Sequence, residues 1–225
     1  MPFAANKSMI RYDDVRGNPE ILSLIEKADG CLAALGYTEH SVAHVCRVAD
    51  LAGYILRELG YGEREVELVR IAAYLHDIGN LANRVDHAHS GAVMAFVLLS
   101  RMGMPMEDVA DITSAIGNHH EETGVPVSAL AAALILADKA DVRRSRVRPE
   151  EETDPDIHDR VNYSVTASDL RVGEGVIRLD IEIDTSISSV ADYFEIFLER
   201  MRLCRRAAKK LGQDFTLYIN GQALM

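Results

Sequence analysis

Basic charge is scarce in this 225-residue chain: 24 Lys and Arg stand against 35 Asp and Glu, for a formal net charge of −11. That balance argues against a broad nucleic-acid surface, because neutralising a phosphate backbone needs clustered Lys and Arg. It leaves room for a small basic pocket that takes one phosphorylated ligand. Cysteine is equally sparse. Cys31, Cys46 and Cys204 are odd in number, widely spaced and without a CxxC pair. A disulfide framework or a zinc ribbon is therefore not expected, each cysteine reads as a small hydrophobe, and a reduced cytoplasmic setting fits best. Met1 to Arg11 lacks an apolar core behind a basic start, so it does not read as a secretory signal. No apolar run approaches the roughly 20 residues that a membrane span needs. Ala129 to Ala137 comes nearest and is stopped by Asp138. There is no internal repeat and no low-complexity segment. The expectation is a soluble cytoplasmic protein with no membrane partner and no nucleic-acid polymer as ligand.

What is present is enough apolar residue, 48% of the chain, to bury a core of one domain or of one domain with an appendage. The first two thirds have helical spacing. Asn18 and Pro19 open a helix that runs to Leu35 before Gly36. Thr38 is the expected cap of a helix over 39–59, on which His40 and His44 would share a face. Glu63 to Leu75 forms a third helix, with Gly79 as the place for it to stop. Further helices are expected at 87–101, 106–119 and 127–142. Arg143 to Asp159, with two prolines and dense mixed charge, suits an exposed loop. Beyond it the period changes to two. Val161 to Ala167 and Ile177 to Ile183 alternate as strands of a hairpin, with Asp169 to Gly175 between them. A helix follows over 190–211, capped by Ser188 or Ser189, and then a last strand at Phe215 to Ile219. The fold class is mainly α: a helical bundle over 18–145 and a small β-β-α-β appendage over 160–225. The appendage's alternating sheet face needs a cover, which a second copy of the chain could supply as a homodimer.

Seven of the eight histidines lie between His40 and His120. Taken singly, each has an ordinary explanation. His40 and His89 suit the surface, and His119-His120 suits an exposed helix end. Asp138 follows an apolar run with Lys139 beside it as a partner. Taken jointly, the series His44, His76-Asp77, His87, His119-His120 and Asp138 is improbable as chance. Helix ends in a bundle can direct such ligands inward to one place.

The series closely resembles the HD superfamily of metal-dependent phosphohydrolases over roughly residues 38–141. His76-Asp77-Ile78-Gly79 is similar to the HD motif, and His44 to the family's leading histidine. His87-Ala88-His89-Ser90-Gly91-Ala92 is similar to an element with Gly-Ala four and five residues after a histidine, which favours His87 over His89. Ile116-Gly117-Asn118-His119-His120-Glu121 resembles the HHE element of the HD-GYP branch, and Ala137-Asp138-Lys139 the closing aspartate. The resemblance implies an HD-type bundle in which His44, His76, Asp77 and Asp138 hold one metal. It implies a second held by His87, His119 and His120, with Asp77 bridging.

The chain also departs from the family's pattern. Glu122 to Pro126 is too short for the full HD-GYP stretch, so cyclic-di-GMP hydrolysis is not carried over. Asn80 replaces a lysine that often follows HDIG, and His40 stands where some members place a glutamate. Imidazole and carboxylate ligands suit Fe, Mn or Zn, with Mg also compatible. Two such ions lower the pKa of water and clamp the oxygens of a phosphoryl group. The function expected is hydrolysis of a small phosphate ester or nucleotide by a metal-activated hydroxide. Asp77 and Lys139 are the catalytic candidates, and Lys139, Arg143 and Arg144 the local cations. Alternatives from other classes are a metal-containing nucleotide-sensing module without turnover, and a di-iron oxygenase.

Overall fold

The structure, a computed structural model, describes residues 9–148 and 157–225. Positions 1–8 of the N-terminal stretch and 149–156 of the expected loop lie outside them. The bundle begins with a short helix that the sequence pattern does not announce, α1 (Tyr12–Arg16). Its Tyr12 is buried, edge-on to Tyr74 at 5.9 Å. Helix α2 (Pro19–Ala34) starts where Asn18 accepts the Glu20 and Ile21 N–H groups. It ends at Gly36, whose φ of +78° suits a residue without Cβ.

Helix α3 (Val42–Glu58) starts later than the spacing predicts. Ser41, not Thr38, caps it by accepting the Ala43 N–H. The preceding residues are held elsewhere: the Glu39 N–H donates to the Arg146 carbonyl, and the His40 N–H to Asp29. His40 therefore sits outside the helix, although its ring still lies 5.5 Å from that of His44.

Helices α4 (Glu63–Leu75), α5 (His87–Met102), α6 (Met106–Gly117) and α7 (Ala129–Ala140) complete the bundle. Helix α7 is its axis. It is apolar all round, buried from Leu130 to Ala137, and packed on α3, α4 and α6. A helix with no wet face has to lie in the middle of the core.

The expected strand at 161–167 is a helix for half its length: α8 spans Ile157–Ser164, and β1 begins at Val165. Strict alternation would bury Tyr163 together with Val161. In the structure Val161, Ser164 and Val165 are fully buried while Tyr163 is 46% exposed. A spacing of three and four wins over a spacing of two. Strand β1 (Val165–Gly173) then continues through residues expected to form a connection. It pairs antiparallel with β2 (Val176–Ile183) across a two-residue turn, with Gly175 at φ +73°.

Helix α9 (Val190–Lys210), capped by Ser189, crosses over to β3 (Asp214–Ile219), which runs parallel to β2. A short β4 (Gln222–Ala223) follows a tight turn at Asn220-Gly221, whose φ values are 50° and 77°. The sheet order is β1-β2-β3-β4. The appendage is thus α-β-β-α-β-β rather than β-β-α-β. Its inner face is Ile177, Leu179, Ile181, Phe215, Leu217 and Ile219. The cover is α9 of the same chain, which also packs against α7. The β1 edge is tied to the bundle, since Arg47 donates to the Ser168 carbonyl and Ser168 Oγ to that of Ala140. Residues of both stretches enter one continuous core.

Candidate metal centre

Helix α4 delivers the centre. It stops at Leu75, leaving His76 and Asp77 at its C-terminal end ahead of a 3₁₀ turn at Ile78–Leu81. Gly79 does not end the helix through a left-handed φ. Its role is contact, because a Cβ there would lie 2.0 Å from the His87 carbonyl oxygen and 2.4 Å from the Gly91 nitrogen. The missing side chain lets the turn seat on the start of α5, which brings His87 beside Asp77. His44 arrives from α3, Asp138 from the end of α7, and His119 from the loop just after α6.

The distances describe one cluster. Asp77 Oδ2 lies 3.1 Å from His76 Nε2 and 3.6 Å from His44 Nε2, and Asp77 Oδ1 lies 3.6 Å from His87 Nε2. Asp138 Oδ1 is 3.6 Å from both His44 Nε2 and His76 Nε2. Three overlapping triads each have ligand atoms within 4.8 Å of one another: His44, His76 and Asp77; His76, His119 and Asp138; and Asp77, His87 and His119.

Each histidine of these triads has its far nitrogen held. The Nδ1–H groups donate to Asp141 Oδ2 from His44 at 2.7 Å, and to the carbonyls of Ala73 from His76 at 2.7 Å, Arg84 from His87 at 2.9 Å and Ile116 from His119 at 2.6 Å. Acceptors of this kind can only take a proton, so every Nδ1 carries one and every Nε2 lone pair faces inward. This is how proteins orient metal-binding imidazoles. His44 Nε2 and His76 Nε2 are buried and, among the described residues, complete no hydrogen bond even with the nearby carboxylates, a costly arrangement unless a cation takes the lone pair. The residues fit a divalent metal.

Electrostatics point the same way. Burial pushes His87 down to about 4 and His119 well below the usual imidazole range, so both are neutral at pH 7, the form that can bind a metal. Burial also opposes charge on His76, but Asp77 and Asp138 overcome it and pull the group up to about 10. Two buried carboxylates thus demand positive charge at His76 Nε2, and a metal ion answers that demand as a proton would.

His120 differs from the other four. Its ring is 4.8 Å from that of His87, yet it belongs to none of the triads, and its Nδ1 faces Glu121 Oε2 at 3.5 Å. His89 is 59% exposed and paired with Asp86 at the cavity rim. Lys139 is buried, its Nζ 2.7 Å from both Asp138 Oδ2 and Glu121 Oε2. Arg143 and Arg144 do not line the cavity: Arg143 binds Asp141 and Ser145, and Arg144 donates to the Tyr163 carbonyl.

Sequence reasoning overlooked four residues of this region. Asp141 holds His44, Glu121 pairs with Lys139 and is itself held by Arg200, and Arg84 reaches the cavity from the segment between the 3₁₀ turn and α5. Glu121 left a sign as the last residue of the HHE-like stretch, and Asp141 one turn beyond Asp138; Arg84 and Arg200 left none. We expect Asp141→Asn to weaken divalent-metal affinity by about 10- to 100-fold, since partners that orient a ligand histidine are worth that much. Calorimetric titration of metal-free protein with Mn²⁺ reads this directly. Unchanged affinity at an unchanged melting temperature would show that His44 does not depend on Asp141.

The comparisons with known proteins agree with this geometry. The HD domain model matches residues 42–155, just over half of the chain. The chain is 29% identical over 121 residues to ribonuclease Y of Lawsonia intracellularis, covering 54% of this chain and 21% of that protein. It is 34% identical over 113 residues to ribonuclease Y of Thermus thermophilus, covering 48% and 18%. It thus spans about a fifth of the length of these relatives. An uncharacterised protein of Methanocaldococcus jannaschii is 24% identical over 209 residues, covering 82% of this chain and 79% of that one. A solved HD superfamily hydrolase from an uncultured Thermotogales bacterium is 31% identical with a TM-score of 0.45, covering 55% and 67%. Among the described residues, no helix is long and apolar enough to cross a membrane. With the motif spacing and the family match in agreement, and with a buried His/Asp cluster that could hold a metal ion, the chain belongs to the HD domain family.

Proposed function

We propose that the chain is a metal-dependent hydrolase that cleaves a small phosphate ester or nucleotide and that its centre holds two divalent ions with Asp77 between them. One observation carries the reading. Four buried imidazoles with locked Nδ1 atoms turn their Nε2 atoms toward Asp77 and Asp138. His44, His76, Asp77 and Asp138 would hold one ion, and His87 and His119, with His120 beside them, the other. Asp77 supports the bridging role by offering Oδ2 to the first group and Oδ1 to the second. Such a pair, when bound, lowers the pKa of water toward neutrality and neutralises phosphoryl charge.

The protein's own groups do the rest. Lys139 fixes the rotamer of Asp138 and offsets part of the cluster's negative charge, itself held in place by Glu121. Arg200 secures Glu121 from the far side. The cavity of about 630 Å³ that opens on Asp77 and Asp138 is of the size that encloses a small ligand. Similarity to proteins named ribonuclease Y supports phosphoester cleavage as the reaction class, while the acidic surface favours a small substrate over a polymer.

Metal analysis of anaerobically purified protein, then a phosphate-release screen over nucleotides and simple phosphoesters, tests the proposal. Bound Fe, Mn or Zn is expected, with activity that EDTA abolishes and metal restores. Binding of nucleotides without turnover across the panel would favour a sensing module instead.

A further inference from the structure

Four basic side chains stand in the walls of the cavity: Arg84, Lys139, Arg146 and Arg200. Three of them are already neutralised by the protein. Lys139 sits between Asp138 and Glu121, and Arg200 donates to Glu121 while stacking 4.4 Å over the Phe197 ring. Arg146 donates to the carbonyls of Glu39 and Asp141, with the Asp141 carboxylate 3.9 Å away.

Arg84 is different. Its Nη1 is 3.2 Å from Asn80 Oδ1 and 3.5 Å from His87 Nε2, and its guanidinium carbon stands 5.5 Å from the Tyr37 ring centroid. Both polar partners are neutral, and among the described residues no carboxylate pairs with it. Asn80 is itself fixed, donating to the Asp77 carbonyl at 2.9 Å and to Asp77 Oδ1 at 3.0 Å. The amide therefore holds a cation at a set distance from Asp77 without discharging it. A half-buried guanidinium with spare N–H groups and no carboxylate paired with it among the described residues is a ready site for an anion, and its planar fork matches two oxygens of one phosphate.

The other walls limit what that anion can be. Asn162 of α8 and Phe197 of α9 line the same cavity, so the appendage closes space that a polymer would need on both sides of an internal phosphodiester. A terminal phosphate requires room on one side only and offers more unesterified oxygens.

We infer that Arg84 is the specificity residue of this hydrolase, grasping the unesterified oxygens of a small phosphomonoester and orienting it on the metal centre. This rests on the phosphohydrolase reading above and adds to it the residue that selects the substrate class. Asn80 acts through Arg84 as a positioning residue.

The test uses the full chain with its metal, as wild type, Arg84→Ala and Arg84→Lys. Binding of inorganic phosphate is followed by calorimetry, and kcat/KM is measured with p-nitrophenyl phosphate and with bis(p-nitrophenyl) phosphate. Arg84→Ala is expected to weaken phosphate binding and to lower kcat/KM for the monoester by about 10- to 100-fold, the usual range for charged hydrogen bonds. The diester should be far less affected and metal content unchanged. Low, non-denaturing guanidinium should restore part of the monoester activity, with Arg84→Lys intermediate. If the wild type turns over both esters and Arg84→Ala leaves phosphate affinity and monoester kinetics intact, the inference fails while the hydrolase reading stands. An equal loss for both esters overturns the selection of monoesters. If no ester is turned over but phosphate binding is lost in Arg84→Ala, the anion anchor stands and the hydrolase reading falls.

Discussion

Asp77→Ala is expected to strip the centre of most of its metal and to lower hydrolysis by about 10³-fold or more. The size follows from position. Among the described residues, Asp77 is the one side chain within 3.6 Å of three different imidazole Nε2 atoms, those of His44, His76 and His87. Its removal therefore takes a ligand from both halves of the cluster at once. Metal ions contribute several kcal/mol to such reactions, and each 1.36 kcal/mol is a factor of ten in rate. The fold should survive, because Asp77 lies at a helix end and its one close neutral partner, the Asn80 amide, keeps the Asp77 carbonyl. Asp77→Asn separates charge from shape: it preserves an acceptor oxygen for Asn80 but not the negative charge, and is expected to lose metal nearly as completely. Metal content by mass spectrometry, circular dichroism and phosphate release together give the answer. Full metal occupancy and undiminished turnover in a folded Asp77→Ala protein would place the chemistry elsewhere.

The parts of this molecule that could be read from the chain are those set by neighbours in sequence. The Asn18-Pro19 start of α2 and the span of α4 are local facts of capping and periodicity, and the structure has both. The motif histidines are likewise legible through their spacing. What could not be read depends on residues far apart. His40 leaves the helix because Asp29 and Arg146, remote in sequence, hold residues 39 and 40 in another conformation. The α8–β1 boundary is invisible because Val161 to Ala167 satisfies both periods, and only the burial of Ser164 decides between them. Arg200 approaches Glu121 from a helix 79 positions away. Nothing in its own neighbourhood singles out Arg84, and only the fold places it beside His87. The sheet's apolar face did need a cover, but alternation alone cannot say that the cover is the chain's own α9.

Gly79→Ala is the second large effect, and it tests the backbone rather than the ligands. The added Cβ would meet the His87 carbonyl oxygen at 2.0 Å, the Gly91 nitrogen at 2.4 Å and Ser90 Oγ at 2.7 Å. Ser90 can rotate away, but the two backbone atoms belong to the first turns of α5 and cannot. The 3₁₀ turn must lift from α5, which costs about 3 kcal/mol, the upper end for forced overpacking. For a chain of this size that corresponds to a fall in melting temperature of about 6–12 °C. The displacement also separates His76 and Asp77 on one side of the contact from His87 on the other. A misplacement of about 1 Å in such a constellation can cost roughly 10² in rate, so metal affinity and activity should fall further than stability alone explains. Two other glycines calibrate the result. At Gly91 a Cβ would stand 3.2 Å from the Gly79 nitrogen and the His76 carbonyl oxygen, so Gly91→Ala should show the same defect in milder form. Gly30, inside α2, has nothing within 4 Å of its Cβ position, and Gly30→Ala should stabilise by about 0.4–1 kcal/mol. Thermal melts of the three variants, with Mn²⁺ titrations alongside, should therefore rank Gly79→Ala below Gly91→Ala below Gly30→Ala. A Gly79→Ala protein that melts and binds metal like the wild type would mean that the close seat of the HD turn on α5 is not what builds the centre.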